Sequence, residues 1–289
     1  MKRVNPVDYL VIGHITQDLT PGGPVLGGTA AYAARTARAF GLRVGVLTSA
    51  REGEPLLDRL ACAGVEVVSL PAPATTTFTN LYEGGHRRQI LSARAATITA
   101  ADVPPAWADA PIVHLGPLDA EIEIGLAARF PNSFVGVTPQ GWLRRWDEGG
   151  VISACCWEEA ARVLPLASAV VLSYEDLRGN LALIDQYARQ ARLLVVTLGA
   201  RGADLYVQGK ILHAPARWVR EVDPTGAGDI FAAAFFAWLQ RHPGDMGDLM
   251  DAAHLAAHIA TTSITRVGIE GVPTPEEVAE ARRILDIQE

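Results

Sequence analysis

Short apolar runs of Val, Ile and Leu recur along the whole of this chain, and helical stretches rich in Ala separate them. Most of the runs do not alternate with polar residues, which is typical of strands buried on both faces of a parallel sheet. The chain is therefore expected to adopt an α/β fold in which helices cover both faces of a mainly parallel sheet. The pattern predicts strands at 9–13, 43–48, 65–70, 112–115, 134–137, 170–172 and 193–198. It predicts helices at 29–40, 55–63, 121–129, 181–190, 229–241, 247–262 and 275–286.

The segment 75–94, TTTFTNLYEGGHRRQILSAR, departs from this pattern because its apolar and polar residues alternate. Gly84 and Gly85 are placed for a tight turn, so the segment predicts a β-hairpin that forms an edge or a flap beside the sheet. A second hairpin, at 203–212, is expected to turn near Gln208 and Gly209. No Pro- or Ser-rich linker interrupts the chain, and we therefore expect residues 1–289 to form one domain with a small β appendage.

The composition is that of an ordinary globular protein, with 49% hydrophobic and 20% charged residues. The formal net charge of -7 argues against sequence-blind binding of nucleic acid, which needs an excess of Lys and Arg. No apolar run approaches the roughly 18 residues that would span a bilayer, so no membrane partner is expected. We see no signal peptide, and the three cysteines form no disulfide or zinc pattern, which indicates a cytoplasmic protein.

The strongest chemical signal is the motif DPTGAGD, Asp223 to Asp229, which an apolar helical run follows at once. Gly226, Ala227 and Gly228 open that helix, so their amide groups lack partners within it and are available to an anion. Such a turn suits the charge that is spread over a transferring phosphoryl group. Asp229 lies beside it and is a candidate general base for an attacking hydroxyl.

This motif resembles the C-terminal signature of the ribokinase-like, or PfkB-type, carbohydrate kinases. The resemblance implies a three-layer α/β/α sandwich with a small β lid, and transfer of a phosphoryl group from ATP, with Mg²⁺, to a hydroxyl of a small molecule. It implies that Asp229 is the catalytic base and that Gly226, Ala227 and Gly228 form the anion hole. It is compatible with a monomer or a homodimer.

Further segments resemble the same family. The resemblance of VIGHITQD implies that Asp18 binds the substrate, and that of the following di-glycine implies that Gly27 and Gly28 pass close to it. A carboxylate at that point can accept hydrogen bonds from two hydroxyls, which suits a polyol. The segment VVTLGARGADLY is similar to the family's strand and turn beside the nucleotide. The positions that would bind the nucleotide are Thr197, Gly199, Gly202 and Thr225.

Two positions depart from the family pattern. Tyr32 stands where the family usually has an Asn that contacts the substrate. The family's N-x-x-E element is replaced by Ser173 and Asp176, which keep an oxygen acceptor and a carboxylate and so retain an indirect role in holding magnesium through water; Glu175 could substitute for Asp176. The segment between Asp18 and the di-glycine is short, so 75–94 is expected to supply most of a reduced lid.

The segment VTPQGWLRRWD, 137–147, resembles the inositol-kinase-like branch of the family, in which case Gln140 and Arg144 contact a polyol. An inositol-like acceptor is therefore favoured. One alternative is a nucleoside kinase on the same scaffold, in which Tyr32 or Phe78 would stack a base. Another is a non-catalytic binding protein, which the altered positions suggest but the intact Asp229 opposes. A P-loop and a dinucleotide fingerprint are both absent from the sequence.

Overall fold

The computed structural model describes residues 4–83, 86–242 and 245–285, and the side chains of 81–83 and 86–88 lie outside this description. Its strands, in chain order, are β1 (Tyr9–Ile12), β2 (Thr16–Thr20), β3 (Gly23–Gly27), β4 (Val44–Arg51), β5 (Glu66–Ala72), β6 (Thr77–Glu83), β7 (His86–Ala93), β8 (Ile112–Leu115), β9 (Phe134–Val137), β10 (Arg144–Trp146), β11 (Ile152–Ala154), β12 (Ala169–Ser173), β13 (Leu194–Thr197), β14 (Ala203–Val207) and β15 (Lys210–Ala214). Its α-helices are α1 (Thr29–Ala39), α2 (Pro55–Cys62), α3 (Ala160–Val163), α4 (Leu181–Ala188), α5 (Ala227–Arg241), α6 (Met246–Ser263) and α7 (Pro275–Ile284).

The central sheet has nine strands in the order β15-β14-β13-β12-β9-β8-β1-β4-β5. All of its pairs are parallel except β13 with β14 and β14 with β15, which are antiparallel. The parallel strands are short and almost wholly buried, as their continuous apolar sequences predict. Their carboxyl ends meet at one edge of the sheet, which is where α/β proteins of this type bind their ligands.

Two apolar cores lie on opposite faces of this sheet. One core packs α1, α2, α5, α6 and α7 against it, and α5 is buried along most of its length. The other core contains the α3 and α4 side chains and the loops that follow β7 and β8. This arrangement is a three-layer α/β/α sandwich, and it confirms the fold class that the spacing of the apolar runs predicts. In the described ranges, no helix is both long enough and apolar enough to cross a bilayer.

A separate four-stranded sheet, in the order β3-β2-β6-β7, forms the lid. The prediction that 75–94 supplies most of the cover has to be corrected, since half of the lid strands come from residues 16–27. Pro21 and Gly22 form the tight turn between β2 and β3, and their loop-like composition did not predict these strands. The predicted turn at Gly84 and Gly85 falls outside the described residues.

Smaller differences concern individual elements. The predicted helix at 121–129 is a 3-10 helix, Ile124–Arg129, and the short pair of strands β10 and β11 was not foreseen. The hairpin expected at 203–212 is present as β14 and β15, and it extends the main sheet at one edge. Gln208 and Gly209 both have positive φ in its turn, as a two-residue hairpin loop requires.

Candidate active site

A cavity of about 820 Å³ lies between the lid and the carboxyl edge of the main sheet. Three loops reach it from the ends of neighbouring parallel strands: residues 138–144 follow β9, residues 173–176 follow β12, and residues 197–202 follow β13. The start of α5 closes its floor with the DPTGAGD motif. Residues that are far apart in sequence therefore face one another across a single space.

Asp229 lies in the first turn of α5 and lines this cavity. Its Oδ1 accepts a 2.7 Å hydrogen bond from the hydroxyl of Thr29, the first residue of α1. Burial raises the pKa of Asp229 to about 6, although the Thr29 hydrogen bond and the charge of Arg144 lower it. A carboxylate with this pKa is ionised near neutral pH yet basic enough to accept a proton from a hydroxyl during attack.

The backbone before Asp229 forms an anion-binding turn. Gly226 caps α5 in the left-handed region at φ 79, a conformation that glycine adopts without steric cost. Among the described residues, no acceptor takes the amide hydrogens of Gly226, Gly228 or Asp229, whereas the amide of Ala227 donates to the Pro224 carbonyl at 3.2 Å. Two of the three predicted donors, Gly226 and Gly228, are thus free, and the amide of Asp229 is free in place of that of Ala227.

Asp223 holds this turn from its other end. Its Oδ1 accepts from the amide of Thr225 at 2.9 Å, and its Oδ2 accepts from the amide of Gly268 at 2.8 Å. One carboxylate therefore fixes both the motif and the 3-10 helix Gly268–Gly271 beside it. The amides that would receive a phosphoryl group are held in place before any ligand arrives, which is what electrostatic preorganisation requires.

Solved structures with a similar fold include kinases. A pyrophosphate-dependent kinase in the ribokinase family, complexed with a pyrophosphate analog and myo-inositol, superimposes with a TM-score of 0.78 at 24% identity, over 94% of this chain and 99% of that one. A putative ribokinase II from E. coli, in complex with ATP and Mg²⁺, gives a TM-score of 0.74 at 21% identity, over 97% and 100%. The family model of pfkB family carbohydrate kinases matches residues 155–276, which contain the whole DPTGAGD motif. Over this part of its sequence, the chain is similar to the PfkB family of carbohydrate kinases.

The relatives of this chain include sugar and nucleoside kinases. A cytidine kinase from Thermococcus kodakarensis is 26% identical over 81% of this chain and 89% of its own length. A fructokinase from Klebsiella pneumoniae is 37% identical, but over only 37% of this chain and 38% of its own length. The stretch with the higher sequence identity is thus much shorter than the region over which the fold is shared. The fold is clear, and the acceptor has to be argued from the site.

On the predicted acceptor side of the cavity, four of the five predicted residues line it: Asp18, Gly28, Gln140 and Arg144. Gly27 does not line it, because it is buried behind Asp18. A Cβ atom on Gly27 would lie 2.3 Å from Asp18 Oδ2, so this glycine makes room for the Asp18 carboxylate. Gln89 of the lid, which sequence reasoning missed, also lines the cavity and accepts a hydrogen bond from Arg144 at 3.2 Å.

On the donor side, the structure brings Thr197, Gly199, Gly202 and Thr225 to the cavity wall. Gly202 must be glycine, since its φ is 96 and a Cβ atom would lie 2.0 Å from the Ala214 carbonyl oxygen. Further along the same wall lies a mainly apolar recess. Its residues are Trp218, Val219, Ala257, Ala260, Thr261 and Ile264.

The candidate magnesium element, residues 173–176, is folded on itself. The amide of Ser173 donates to Asp176 Oδ2 at 3.1 Å, and the Ser173 hydroxyl accepts from the Asp176 amide at 3.0 Å. This reciprocal pair holds Asp176 at the cavity wall, next to Glu175. In the described part of the chain no donor takes the second oxygen of Asp176, so that oxygen is available to water or to a cation.

Tyr32 lines the cavity, and its ring is packed against the anion-binding turn. Its side chain is 2% exposed and its ring lies against Gly226, with its hydroxyl near Gly268. Burial raises the pKa of this phenol well above its ordinary value, and the charge of Asp18 adds to the effect, so Tyr32 is neutral. The residue supports the anion-binding turn from the side of α1 and presents almost no aromatic surface to the cavity.

Proposed function

We propose that this protein is an ATP-dependent kinase that phosphorylates a hydroxyl of a small sugar or polyol, with an inositol-like ring favoured. The observation that carries the proposal is the arrangement at the start of α5. There the Asp229 carboxylate and the unpaired amides of Gly226 and Gly228 line one cavity. A general base and an anion hole on adjacent residues are what in-line phosphoryl transfer to an alcohol requires.

In the proposed reaction, Asp18, Asp229 and the amides at the start of α5 each have one role. Asp18 binds hydroxyls of the acceptor and holds one of them between the donor and Asp229. As that oxygen attacks the γ-phosphorus, its proton passes to Asp229, the new O–P bond forms and the bond to the β-phosphate oxygen breaks. The amides at the start of α5 stabilise the negative charge on the transferring group. Closure of the lid excludes water, which would otherwise compete as the acceptor.

The acceptor side favours a polyol over a nucleoside. Its polar side chains, Asp18, Gln89, Gln140 and Arg144, provide several hydrogen-bonding groups for ring hydroxyls. The two aromatic side chains that could stack a base are already packed, since Tyr32 lies against Gly226 and Phe78, 3% exposed, belongs to a cluster with Leu91 and Leu118. The myo-inositol in a solved kinase of the same fold supports this choice, and the cytidine kinase relative keeps the nucleoside alternative open.

The donor side favours ATP over pyrophosphate, the donor of one solved kinase with this fold. Beyond the anion-binding turn, the cavity continues into the apolar recess formed by α6 and residues 218–219. A flat aromatic base would bury apolar surface there, whereas pyrophosphate has no group that could use the recess. The recess is therefore an argument for a nucleotide.

Magnesium fits this donor site through Asp176. Its free carboxylate oxygen and the neighbouring Glu175 are hard oxygen ligands of the kind that Mg²⁺ prefers, directly or through water. When bound, the ion would neutralise charge on the donor phosphates. Ser173 orients Asp176 for this purpose through the two hydrogen bonds that join them.

The proposal is tested by measuring ADP release from MgATP with myo-inositol, fructose, ribose and cytidine as acceptors, and phosphate release from pyrophosphate in parallel. We expect MgATP with a sugar or polyol to give the highest turnover. Asp229→Asn should lower kcat by roughly a hundredfold or more while leaving ATP binding intact. Asp58→Asn, an exposed carboxylate on α2, is the matched control. Full turnover by Asp229→Asn would refute the assignment of the base.

A further inference from the structure

The base Asp229 is held by a residue that lies 200 positions earlier in the chain. Thr29 begins α1, directly after the di-glycine, and its side chain is 1% exposed. Its hydroxyl donates to Asp229 Oδ1 at 2.7 Å. Within the described ranges it is the single hydrogen-bond donor to the Asp229 side chain, so it alone fixes the direction in which that carboxylate points.

Because of this hydrogen bond, the two oxygens of the Asp229 carboxylate have different surroundings. Oδ1 is occupied by Thr29, and no described group donates to Oδ2. A carboxylate that is free to rotate would offer either oxygen in many orientations, and only some of them suit an incoming hydroxyl. Anchoring Oδ1 leaves Oδ2 as the oxygen for the acceptor's proton, at a fixed position beside the anion-binding turn.

Thr29 is itself held by Gly116, which follows β8. A Cβ atom on Gly116 would lie 2.3 Å from Thr29 Cγ2 and 2.9 Å from its Cβ, so the Thr29 side chain fills the space that Gly116 leaves. The Thr138 hydroxyl lies on the same side, 3.3 Å from that Cβ position. In the rotamer that packs the methyl group into this space, the Thr29 hydroxyl is directed at Asp229.

We propose that Thr29 is the positioning residue for the catalytic base, and that Gly116 holds Thr29 in the required rotamer. The inference rests on the proposed role of Asp229. It adds that the orientation of the base depends on the Thr29 hydroxyl from α1, and on the fact that the residue after β8, Gly116, is a glycine. The catalytic centre is thus assembled from three elements, α5, α1 and the loop after β8, rather than from the DPTGAGD motif alone.

Two substitutions at Thr29 distinguish the effect of its hydroxyl from the effect of its side-chain shape. Thr29→Val keeps the volume and removes the donor, so kcat should fall about tenfold while KM for ATP changes less than about twofold. Since the Thr29 hydrogen bond lowers the pKa of Asp229, its loss should move the acid limb of the kcat profile to higher pH. Thr29→Ser keeps the hydroxyl and should recover most of the activity.

The assay uses MgATP and the acceptor that gives wild type its highest turnover in the panel above. Thr36→Val is the matched control, because Thr36 is a buried threonine on α1 whose hydroxyl bonds only the Tyr32 carbonyl. Gly116→Ala should reproduce the kcat loss of Thr29→Val, and thermal unfolding of each variant will separate a loss of folded protein from a loss of turnover.

The outcomes are distinct. If Asp229→Asn is inactive but Thr29→Val keeps the wild-type kcat and acid limb, this inference is wrong and the proposed function stands. If Asp229→Asn keeps full turnover, both are overturned. If Thr29→Val lowers kcat in wild type but has no further effect in the Asp229→Asn background, the two residues act as one unit and the inference is supported.

Discussion

The aromatic ring of Tyr32 lies directly against Gly226, since a Cβ atom on this glycine would be 2.4 Å from two of the ring carbons. The contact joins the first turn of α1 to the anion-binding turn at the start of α5. It explains why Tyr32 is compatible with an intact site although it replaces the Asn usual in the family. The tyrosine shapes the turn that receives the phosphoryl group, and the acceptor is left to other side chains.

Gly226→Ala should therefore damage catalysis more than most glycine substitutions do. The new methyl group would clash with Tyr32, and alanine is strained at φ 79, so the turn has to move and its amides lose their alignment. We expect kcat to fall at least about a hundredfold. Gly209→Ala is the control, because Gly209 has φ 74 but nothing within 4 Å of a Cβ atom. Equal losses in both variants would mean that backbone strain alone, and not the Tyr32 contact, is responsible.

The rate of the reaction should depend on the ionisation of Asp229. With a pKa of about 6, the carboxylate is ionised above that pH and takes up a proton below it. Because a protonated carboxyl cannot act as the base, kcat/KM should be level above pH 7 and fall about tenfold per pH unit below pH 6. Initial rates from pH 5 to 8.5 at saturating MgATP will test this. An acid limb near the ordinary Asp value of 3.8 would show that burial does not perturb this group.

The sequence predicted the parts of the fold and the site that depend on local pattern. The parallel strands were found because their apolar runs are continuous, and the start of α5 was found because glycines precede an apolar helix. The lid strands β2 and β3 were missed because the polar sequence TQDLTPGG has no apolar periodicity and forms strands by pairing with β6. The pattern of residues within one segment does not show which distant strand that segment will pair with.

The same limit applies to the site. Asp18, Gln140 and Asp229 could be proposed from their own surroundings in the sequence. Thr29 could not, because its role depends on a contact with Asp229, 200 residues away. The one feature of the sequence that pointed to Thr29 was its position directly after the di-glycine. The chemistry of a residue can be read from its type, whereas its partner is decided by the packing of α1 against α5.

Gly27→Ala should imitate the loss of Asp18. A Cβ atom on Gly27 would lie 2.3 Å from Asp18 Oδ2 and 2.7 Å from the Thr16 hydroxyl, so the carboxylate would be pushed from its place in the acceptor side of the cavity. We expect KM for the acceptor to rise about tenfold or more, with little change in KM for ATP, as for Asp18→Asn. Gly22→Ala, on the same lid hairpin and with its nearest neighbour at 3.7 Å, is the control. A rise in KM for ATP alone would contradict this account of the acceptor side.

Asp119, which lies near the base of the lid, should make the stability of the fold depend on pH. It is 1% exposed, bonds Arg94 at 3.0 Å, and lies in a buried cluster with His14 and Glu121. Burial and the neighbouring Glu121 raise the pKa of Asp119 to about 8, so the folded protein keeps a proton there that the unfolded chain releases near 3.8. The folded state therefore binds more protons between these values, and stability has to fall as the pH rises toward 8. Asn cannot ionise, so Asp119→Asn should flatten this dependence between pH 6 and 8.5, measured by thermal unfolding. Asp58→Asn should keep the wild-type slope, and an equal slope for Asp119→Asn would show that Asp119 is already ionised in the folded protein.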